Sequence, residues 1–454
     1  MSYQNRLRSG VIPYVSLFFG LLLAVFVVGA GSASAHNEFV NSSPRDGEIL
    51  SSAPKSWIVE FAKDVPLVSA SAEVILSSGS RVQLEAPIHG VSQRIIIFSL
   101  PVDLSENVTA RWRLVGTDGH VISGRISFLV QASSIGTSNT SVPTVVETPV
   151  AEYTEESSTV PEPLRVALRY GTYVAILLIG GLLFIELKIA TGALASKLGQ
   201  QLQTASSVSL AVAPLLGLLI LISDLRFGSE SFFDGLSSAW SLTIGKMLIF
   251  RVIVGLVVVF VLSQIRTLAL DGSRRFLDGV YAKVAILLGF YLIALAYGGH
   301  SRSQRAPLIG IPTDALHVGA VAVWIGGLVV LLMVVIPSTD VQNSLIALNK
   351  FSVFAERAVI VIVVTGLMQS LRLHNSVSSI FGSTHGVLLL TKVAIVAAML
   401  RYAARNRRVL AEMRTSRVVN EQRSRTVLVQ SSIVEVGLSA LVVGISAILV
   451  AVSP

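Results

Sequence analysis

Residues 166–188, VALRYGTYVAILLIGGLLFIELK, form an apolar run that is long enough to cross a lipid bilayer as one helix. Hydrophobic residues make up 52% of the 454-residue chain and charged residues only 14%, against about 25% in soluble domains. Similar runs recur at residues 205–223, 242–263, 280–298, 314–336, 353–373, 387–404 and 431–452. The sequence therefore predicts an all-α bundle of eight transmembrane helices, with the lipid bilayer as its surroundings.

The positive charges predict which way these spans run. Lysine and arginine are frequent in alternate connections, at Lys188, Lys197, Arg266, Arg274, Arg275, Lys350 and residues 401–425. Because cytoplasmic loops carry the excess of these residues, the N-terminal region and the C-terminus are both expected outside the cell. We expect a multi-pass protein of a bacterial plasma membrane. The net charge of +8 then reflects topology, and no nucleic-acid partner is expected.

The first 35 residues are typical of a secretory signal. Arg6 and Arg8 precede a long apolar run, and Ala33-Ser34-Ala35 provides an A-x-A cleavage site. An uncleaved first transmembrane helix stays open as the alternative, because the apolar run is long. Cleavage after Ala35 would make His36 the N-terminal residue, whose α-amine and imidazole could together chelate one metal ion.

Residues 36–130 predict an exported all-β domain. Alternating apolar residues indicate half-buried strands at Trp57-Val59-Phe61, Val74-Leu76, Ile95-Ile97-Ser99, Val108-Ala110-Trp112-Leu114 and Ile126-Phe128-Val130. About seven short strands separated by turn residues predict a small immunoglobulin-like sandwich. Residues 131–163, rich in Ser, Thr, Pro, Val and Glu, predict a flexible linker to the membrane domain at residues 164–454.

One turn of the exported domain carries metal-binding side chains. Asp118 and His120 flank a turn glycine and could direct an oxygen and a nitrogen at one ion, together with His36. The chain has no cysteine, and residues 36–160 contain no methionine, so this nitrogen and oxygen set favours Cu(II). A plain hairpin turn is the alternative for Asp118-Gly119-His120, and His89 is expected to be incidental.

Residues 36–130 resemble the CopC copper-binding domain. The resemblance lies in cleavage just before His36, in Ser43-Pro44-Arg45-Asp46-Gly47, Val59-Glu60-Phe61, Asp118-Gly119-His120, Ser123-Gly124 and Phe128. In that family the N-terminal histidine and the Asp and His of the DGH segment hold Cu(II). The resemblance therefore implies Cu(II) ligation by His36, Asp118 and His120.

Short matches between spans indicate an internal duplication. Ile179-Gly180-Gly181-Leu182 in the first span matches Ile325-Gly326-Gly327-Leu328 in the fifth. Thr243-x-Gly245-x5-Arg251-Val252 in the third span matches Thr384-x-Gly386-x5-Lys392-Val393 in the seventh. We interpret these matches as a 4+4 parallel repeat, a plan found in transporters. Close helix packing is the alternative explanation of the glycine pairs.

The spans also carry polar residues that could form a metal path from the outer side. The candidates are His300, Asp314, His317, Trp324, His374, His385, Arg251, Lys392, Met247 and Met368. Asp314 and His317 are three residues apart and share one helix face, as metal ligands or as a simple hydrogen-bonded pair. Arg251 and Lys392 are charges within spans, where structural pairing is the alternative to a functional role. For the two methionines the alternative is core packing.

This region resembles the CopD copper-resistance membrane domain. The residues concerned are Gly299-His300, Asp314-x-x-His317, Trp324-x-Gly326-Gly327, Thr365-Gly366, Lys392 and Asn406-Arg407. Fusion of both domains resembles bacterial copper-uptake proteins of the CopC–CopD type and implies capture of Cu(II) outside and copper import, rather than enzymatic activity. Sequestration or resistance without transport, and a haem or copper redox protein at the outer face, remain alternatives. An extracytoplasmic copper chaperone or reductase is a candidate partner.

Overall fold

The computed structural model describes residues 39–62, 64–67, 70–101, 104–115, 121–131, 154–155, 160–226, 231–268, 274–299, 306–373, 384–415 and 421–450. The chain divides into two compact units. One contains residues 161–219 and 247–454, and the other contains residues 36–160 together with 220–246. The first unit is helical and the second contains the β-sandwich, which are the two folds that the sequence predicts. Residues 220–246 fall in the second unit, whereas the sequence assigned them to the membrane domain.

The sandwich has two sheets that pack around an aromatic core. Its strands are β1 (Phe39–Ser43), β2 (Ile49–Leu50), β3 (Ser56–Phe61), β4 (Ser71–Leu76), β5 (Arg81–Gln83), β6 (Ile88–His89), β7 (Ile95–Ser99), β8 (Glu106–Val115), β9 (Val121–Val130) and β10 (Thr154–Glu155). One sheet has the order β1-β3-β7-β6. The other has the order β10-β9-β8-β4-β5, with β2 parallel to β9.

The core is formed by alternate residues of the long strands, as period-two patterning requires. Trp57 packs against Phe98 with ring centroids 5.4 Å apart, and Phe61 meets Trp112 edge to face at 5.0 Å. For β7 the predicted buried face is wrong by one residue, since Phe98 and its neighbour Ile96 are buried and Ser99 is exposed. Residues 95–98 are all apolar, so the sequence does not show which face of β7 is buried. The pairing of Phe98 with Trp57 on β3 decides it.

The Arg45-Asp46-Gly47 segment, between β1 and β2, is hydrogen-bonded to β9 of the other sheet. An Asp46 carboxylate oxygen accepts the Ser127 amide at 2.6 Å, and the Gly47 amide donates to the Ser127 carbonyl at 2.7 Å. Gly47 has a φ of 76°, which glycine adopts without strain. Thr154–Glu155 pairs with Arg125 and Gly124 of β9, so this part of the predicted linker forms an edge strand.

The helices of the described chain confirm all eight predicted spans. The helices are α1 (Glu162–Ile189), α2 (Lys197–Asp224), α3 (Phe232–Ser241), α4 (Thr243–Leu268), α5 (Arg274–Tyr297), α6 (Pro307–Ser338), α7 (Val341–Leu373), α8 (Thr384–Thr415) and α9 (Glu421–Leu449). In the described part of the chain, eight of these are long and apolar enough to cross a membrane, and α3 is the exception. The protein is a multi-pass membrane protein.

Several helices extend beyond the apolar runs that predicted them. Helix α7 begins at Val341, well before the expected residue 353, because Leu348 and Phe351 of its first turns are buried in the core. Helix α3 was not anticipated, although Ser231 and Asp234 form a capping box with an amide-to-hydroxyl distance of 3.3 Å. The Ser231 hydroxyl and amide lower the pKa of Asp234.

Helices α1 and α6 cross at their matching glycine motifs. A Cβ on Gly181 would collide with the backbone of Gly326, and a Cβ on Gly326 would collide with the Leu177 carbonyl. Gly327 faces the Phe351 ring, 2.8 Å from where its Cβ would lie. The two motifs therefore pack against each other, which is the close helix packing that small residues allow. Each helix carries a π-helical turn at or after its motif, Ile185–Ile189 in α1 and Ala322–Gly326 in α6.

Candidate functional site

The start of β1 lies beside the β8–β9 end of the sandwich. Phe39 stacks on Trp112 with ring centroids 6.5 Å apart. Strand β8 ends at Val115, which pairs with Val121 at the start of β9. The segment that joins these paired residues contains Asp118 and His120, and His36 precedes Phe39 by three residues. Three residues span at most about 10 Å, so the three predicted ligands attach to neighbouring points of the sandwich.

His36, Asp118 and His120 themselves lie outside the described residues. The remaining histidine of the domain, His89, holds its Nε2 2.9 Å from the Val65 carbonyl oxygen. This hydrogen bond connects β6 to the segment that contains Val65 and gives His89 a structural role.

In the helical unit, His317 is held by the Thr365-Gly366 pair of α7. The Thr365 hydroxyl oxygen lies 2.6 Å from the Val361 carbonyl oxygen and 2.9 Å from Nδ1 of His317. The hydroxyl has one proton, which it donates to Val361, so its lone pair accepts the Nδ1–H of the imidazole. Neutral His317 therefore carries its free lone pair on Nε2, an atom that can bind a metal ion. Gly366 leaves room for the imidazole, whose Cε1 lies 3.5 Å from where a Cβ on Gly366 would be.

Asp314, one turn before His317 on α6, is surrounded by cationic groups from other helices. It interacts electrostatically with Lys392 of α8 and with Arg372 at the end of α7. The Arg372 guanidinium packs against Gly310, where a Cβ would collide with it. Tyr173 of α1 also lies within electrostatic range of Asp314. Four helices thus bring polar groups to one place inside the membrane unit.

Arg251 extends this cluster towards α4 and α5. Its guanidinium lies 5.8 Å from the centroid of the Tyr291 ring, and Tyr173 is also within its electrostatic range. Tyr291 is fully buried, and its hydroxyl donates to the Leu210 carbonyl of α2 at 3.2 Å. Arg251 is therefore held by aromatic rings, in keeping with the structural alternative for this charge.

The other predicted path residues occupy separate surroundings. Met247 packs against Gly298, and its Cβ lies 3.0 Å from where a Cβ on Gly298 would be. Met368, on α7, is 36% exposed. Trp324 is buried in the π-helical turn of α6, and His385 is buried in the first turn of α8. His300 and His374 lie outside the described residues.

Three glutamates that could have balanced Arg251 and Lys392 have other partners. Glu186 accepts the backbone amides of Gly192 and Leu194 at 2.9 Å. Glu356 pairs with Arg407, and Glu435 accepts a hydrogen bond from Asn406 at 2.6 Å. The electrostatic counter-charge of Lys392 is Asp314.

Among the residues that the structure describes, no group of three His, Asp or Glu side chains is placed to hold a metal ion. Asp314 and His317 each lie within electrostatic range of Lys392. The roles of Thr365, Tyr173 and Tyr291 were missed. A hydroxyl and two phenols within apolar spans were the available signal, because polar groups in spans face protein or a cavity.

Comparison with known proteins points to copper for both units. Residues 39–131 match the family model of the CopC domain, and residues 345–449 match that of Copper resistance protein D, CopD. The Copper transport protein CutJ of Bacillus subtilis (strain 168) is 26% identical over 394 residues, which cover 84% of this chain and 69% of CutJ.

Solved structures match the N-terminal region. The crystal structure of CopC from Methylosinus trichosporium OB3b is 20% identical, with a TM-score of 0.21, covering 22% of this chain and 100% of that one. PcoC, a methionine-rich copper resistance protein from Escherichia coli, is 22% identical, with a TM-score of 0.19, covering 21% of this chain and 100% of that one. The chain is thus a multi-pass membrane protein that matches the CopC and CopD family models in one polypeptide.

Proposed function

We propose that this protein captures Cu(II) outside the cell and imports copper across the plasma membrane. The observation that carries the proposal is the intramembrane cluster around His317, within a chain whose exported unit matches a copper-binding domain. Capture alone needs no ionisable groups inside the spans. An imidazole and a carboxylate on one helix face offer nitrogen and oxygen ligands within the membrane, where such groups are costly and commonly mark ion pathways.

Capture is assigned to His36, Asp118 and His120. The stacking of Phe39 on Trp112 and the pairing of Val115 with Val121 support this assignment, because they put the attachment points of the ligands side by side. An α-amine, two imidazoles and a carboxylate form the nitrogen and oxygen donor set that suits Cu(II).

Passage is assigned to His317 and Asp314. Thr365 leaves the Nε2 lone pair of His317 available, and Asp314 supplies a negative charge one turn away. Arg372 and Lys392 both lie within electrostatic range of that charge. An arriving cation would compete with these two side chains for the Asp314 carboxylate. His300, His374 and His385 are proposed to line the outer approach.

Cellular copper measures the proposed import directly. The full-length protein is expressed in copper-starved bacteria that lack other uptake routes, and cell copper is measured by mass spectrometry. Wild type is expected to raise internal copper, His317→Ala to abolish the gain, and His36→Ala to weaken it at low external copper. His89→Ala is the matched control, because that ring is bonded to a backbone carbonyl.

A fall in cell copper, or no change with wild type, contradicts import. In that case outer sequestration becomes the better explanation when His36→Ala also loses copper bound to the cell surface. A wild-type response in His317→Ala would remove this residue from the path.

A further inference from the structure

A buried polar stripe follows one face of α9, away from the His317 cluster. Ser431, Ser432, Glu435 and Ser439 are all at most 7% exposed. Residues one and two turns apart share a helix face, so these side chains form a continuous row. Asn406 of α8 meets the row, and its Nδ2 donates to Glu435 at 2.6 Å and to the Ser432 hydroxyl at 3.4 Å.

Glu435 lies inside the last span, ten residues after Arg425, which is about 15 Å along the helix. Its partner Asn406 follows the apolar run of α8 and lies among Arg405, Arg407 and Arg408, so this carboxyl lies towards the arginine-rich end of the spans. Acidic groups within a span are rare and face the protein interior or a cavity.

No cationic side chain balances Glu435 among the described residues. Neighbouring charges are directed elsewhere: Arg407 of α8 pairs with Glu356 of α7, and the Arg425 guanidinium donates to the Ile336 carbonyl of α6 at 2.8 Å. On α7, Arg357 stacks over Phe354, and on α1, Glu186 binds loop amides. A carboxylate buried without a cation is unstable, so the site needs one positive charge from outside the chain.

Two buried polar atoms near Glu435 have no hydrogen-bond partner in the described part of the chain and could bind a small polar species. They are the hydroxyl of Ser431 and the amide oxygen of Asn406. These groups offer only oxygen, which a borderline-soft metal such as copper binds less well than nitrogen or sulfur. Asn406 also directs an N–H donor at the carboxyl, which disfavours a coordinated metal ion there.

We propose that Glu435, with Asn406 and Ser431, forms a buried proton-binding site between α8 and α9. A proton from the aqueous phase bonds to the carboxylate oxygen that Asn406 does not contact and neutralises the group. Its release to water regenerates the carboxylate, so no other reactant is needed. Coupling of this proton to copper passage rests on the proposed function, whereas the proton site itself does not.

Carbodiimide labelling tests the site without copper. Dicyclohexylcarbodiimide reacts with protonated carboxyls in apolar surroundings, and mass spectrometry locates the adduct. In the full-length protein in lipid vesicles, Glu435 is expected to be labelled, with a rate that falls as the pH rises. Glu435→Gln must lose the adduct, and Glu356, which is ion-paired and 43% exposed, is the internal control that stays unlabelled.

Absence of the Glu435 adduct at every pH, or equal labelling of Glu356, would overturn the proposal. Protection by sodium chloride but not by choline chloride would also overturn it, in favour of a hard metal cation. Coupling is then measured with copper-driven proton flux into vesicles that contain a pH dye. If copper enters with wild type and Glu435→Gln keeps the same proton flux, coupling fails. If no copper enters at all, import fails and labelling still decides the proton site.

Discussion

Thr365 controls which nitrogen of His317 is free, although it contacts no metal ion itself. Its hydroxyl proton is directed at Val361, and its lone pair faces Nδ1 of the imidazole. Groups that orient a metal-binding histidine in this way commonly change metal affinity or activity by about 10–100-fold when removed. Thr365 is therefore a positioning residue for the proposed copper path.

We expect Thr365→Val to lower copper uptake by about 10–100-fold and Thr365→Ser to retain most of it. Valine has nearly the shape of threonine but has no lone pair for Nδ1, whereas serine restores the hydroxyl. Initial rates of cellular copper accumulation, normalised to the amount of protein in the membrane, measure the effect. Equal rates for the valine and serine variants would show that the hydroxyl does not position the ring.

The residues around His317 show where sequence reasoning stops. Asp314 and His317 could be paired in advance because their spacing of three belongs to one helix. Thr365 and Lys392 come from other helices, and periodicity within a span gives a buried face without naming its neighbour. Only helix packing brings those side chains to Asp314 and His317.

At the scale of elements, the close crossing of α1 and α6 depends on two positions that have no side chain beyond a hydrogen atom. Gly181 and Gly326 lie where any side chain would meet the backbone of the opposite helix. The sequence identified both motifs as matching, but two equal motifs in different spans do not reveal that they touch each other. Their contact therefore had to come from the structure.

Gly181→Ala is expected to destabilise the helical unit by about 1–3 kcal/mol, the usual cost of overpacking. Gly171→Ala is the matched control on the same helix, because a Cβ there meets nothing within 4 Å. The midpoint of thermal unfolding of the purified protein in detergent measures both. A midpoint for Gly181→Ala that equals that of Gly171→Ala would contradict the tight crossing.

The limits of the helices were harder to predict than their number. The number of spans follows from the number of apolar runs that are long enough to cross a bilayer, and the length of a run is a local property of the sequence. Helix α7 starts earlier because its first turns bury Leu348 and Phe351 against the rest of the unit. In β7, likewise, Trp57 selects the buried face that the local pattern left ambiguous.

For the molecule as a whole, the orientation in the membrane remains a prediction from charge. The chain lacks cysteine, so single cysteines can report on it without background. We expect Ser99→Cys, on an exposed position of β7, to react with an impermeant maleimide in intact cells. Gln342→Cys, exposed at the start of α7, should react only after the membrane is permeabilised. The reverse pattern would invert the topology and exclude capture outside the cell.

The α1–α6 crossing also limits how the membrane unit can move. Helices in backbone contact can turn about the contact, but they cannot slide along each other without a clash at Gly181 and Gly326. A rocking motion of α1 against α6 would therefore turn about this point. Displacements grow with distance from a fulcrum, so the ends of the two helices would move most and the glycine motifs least.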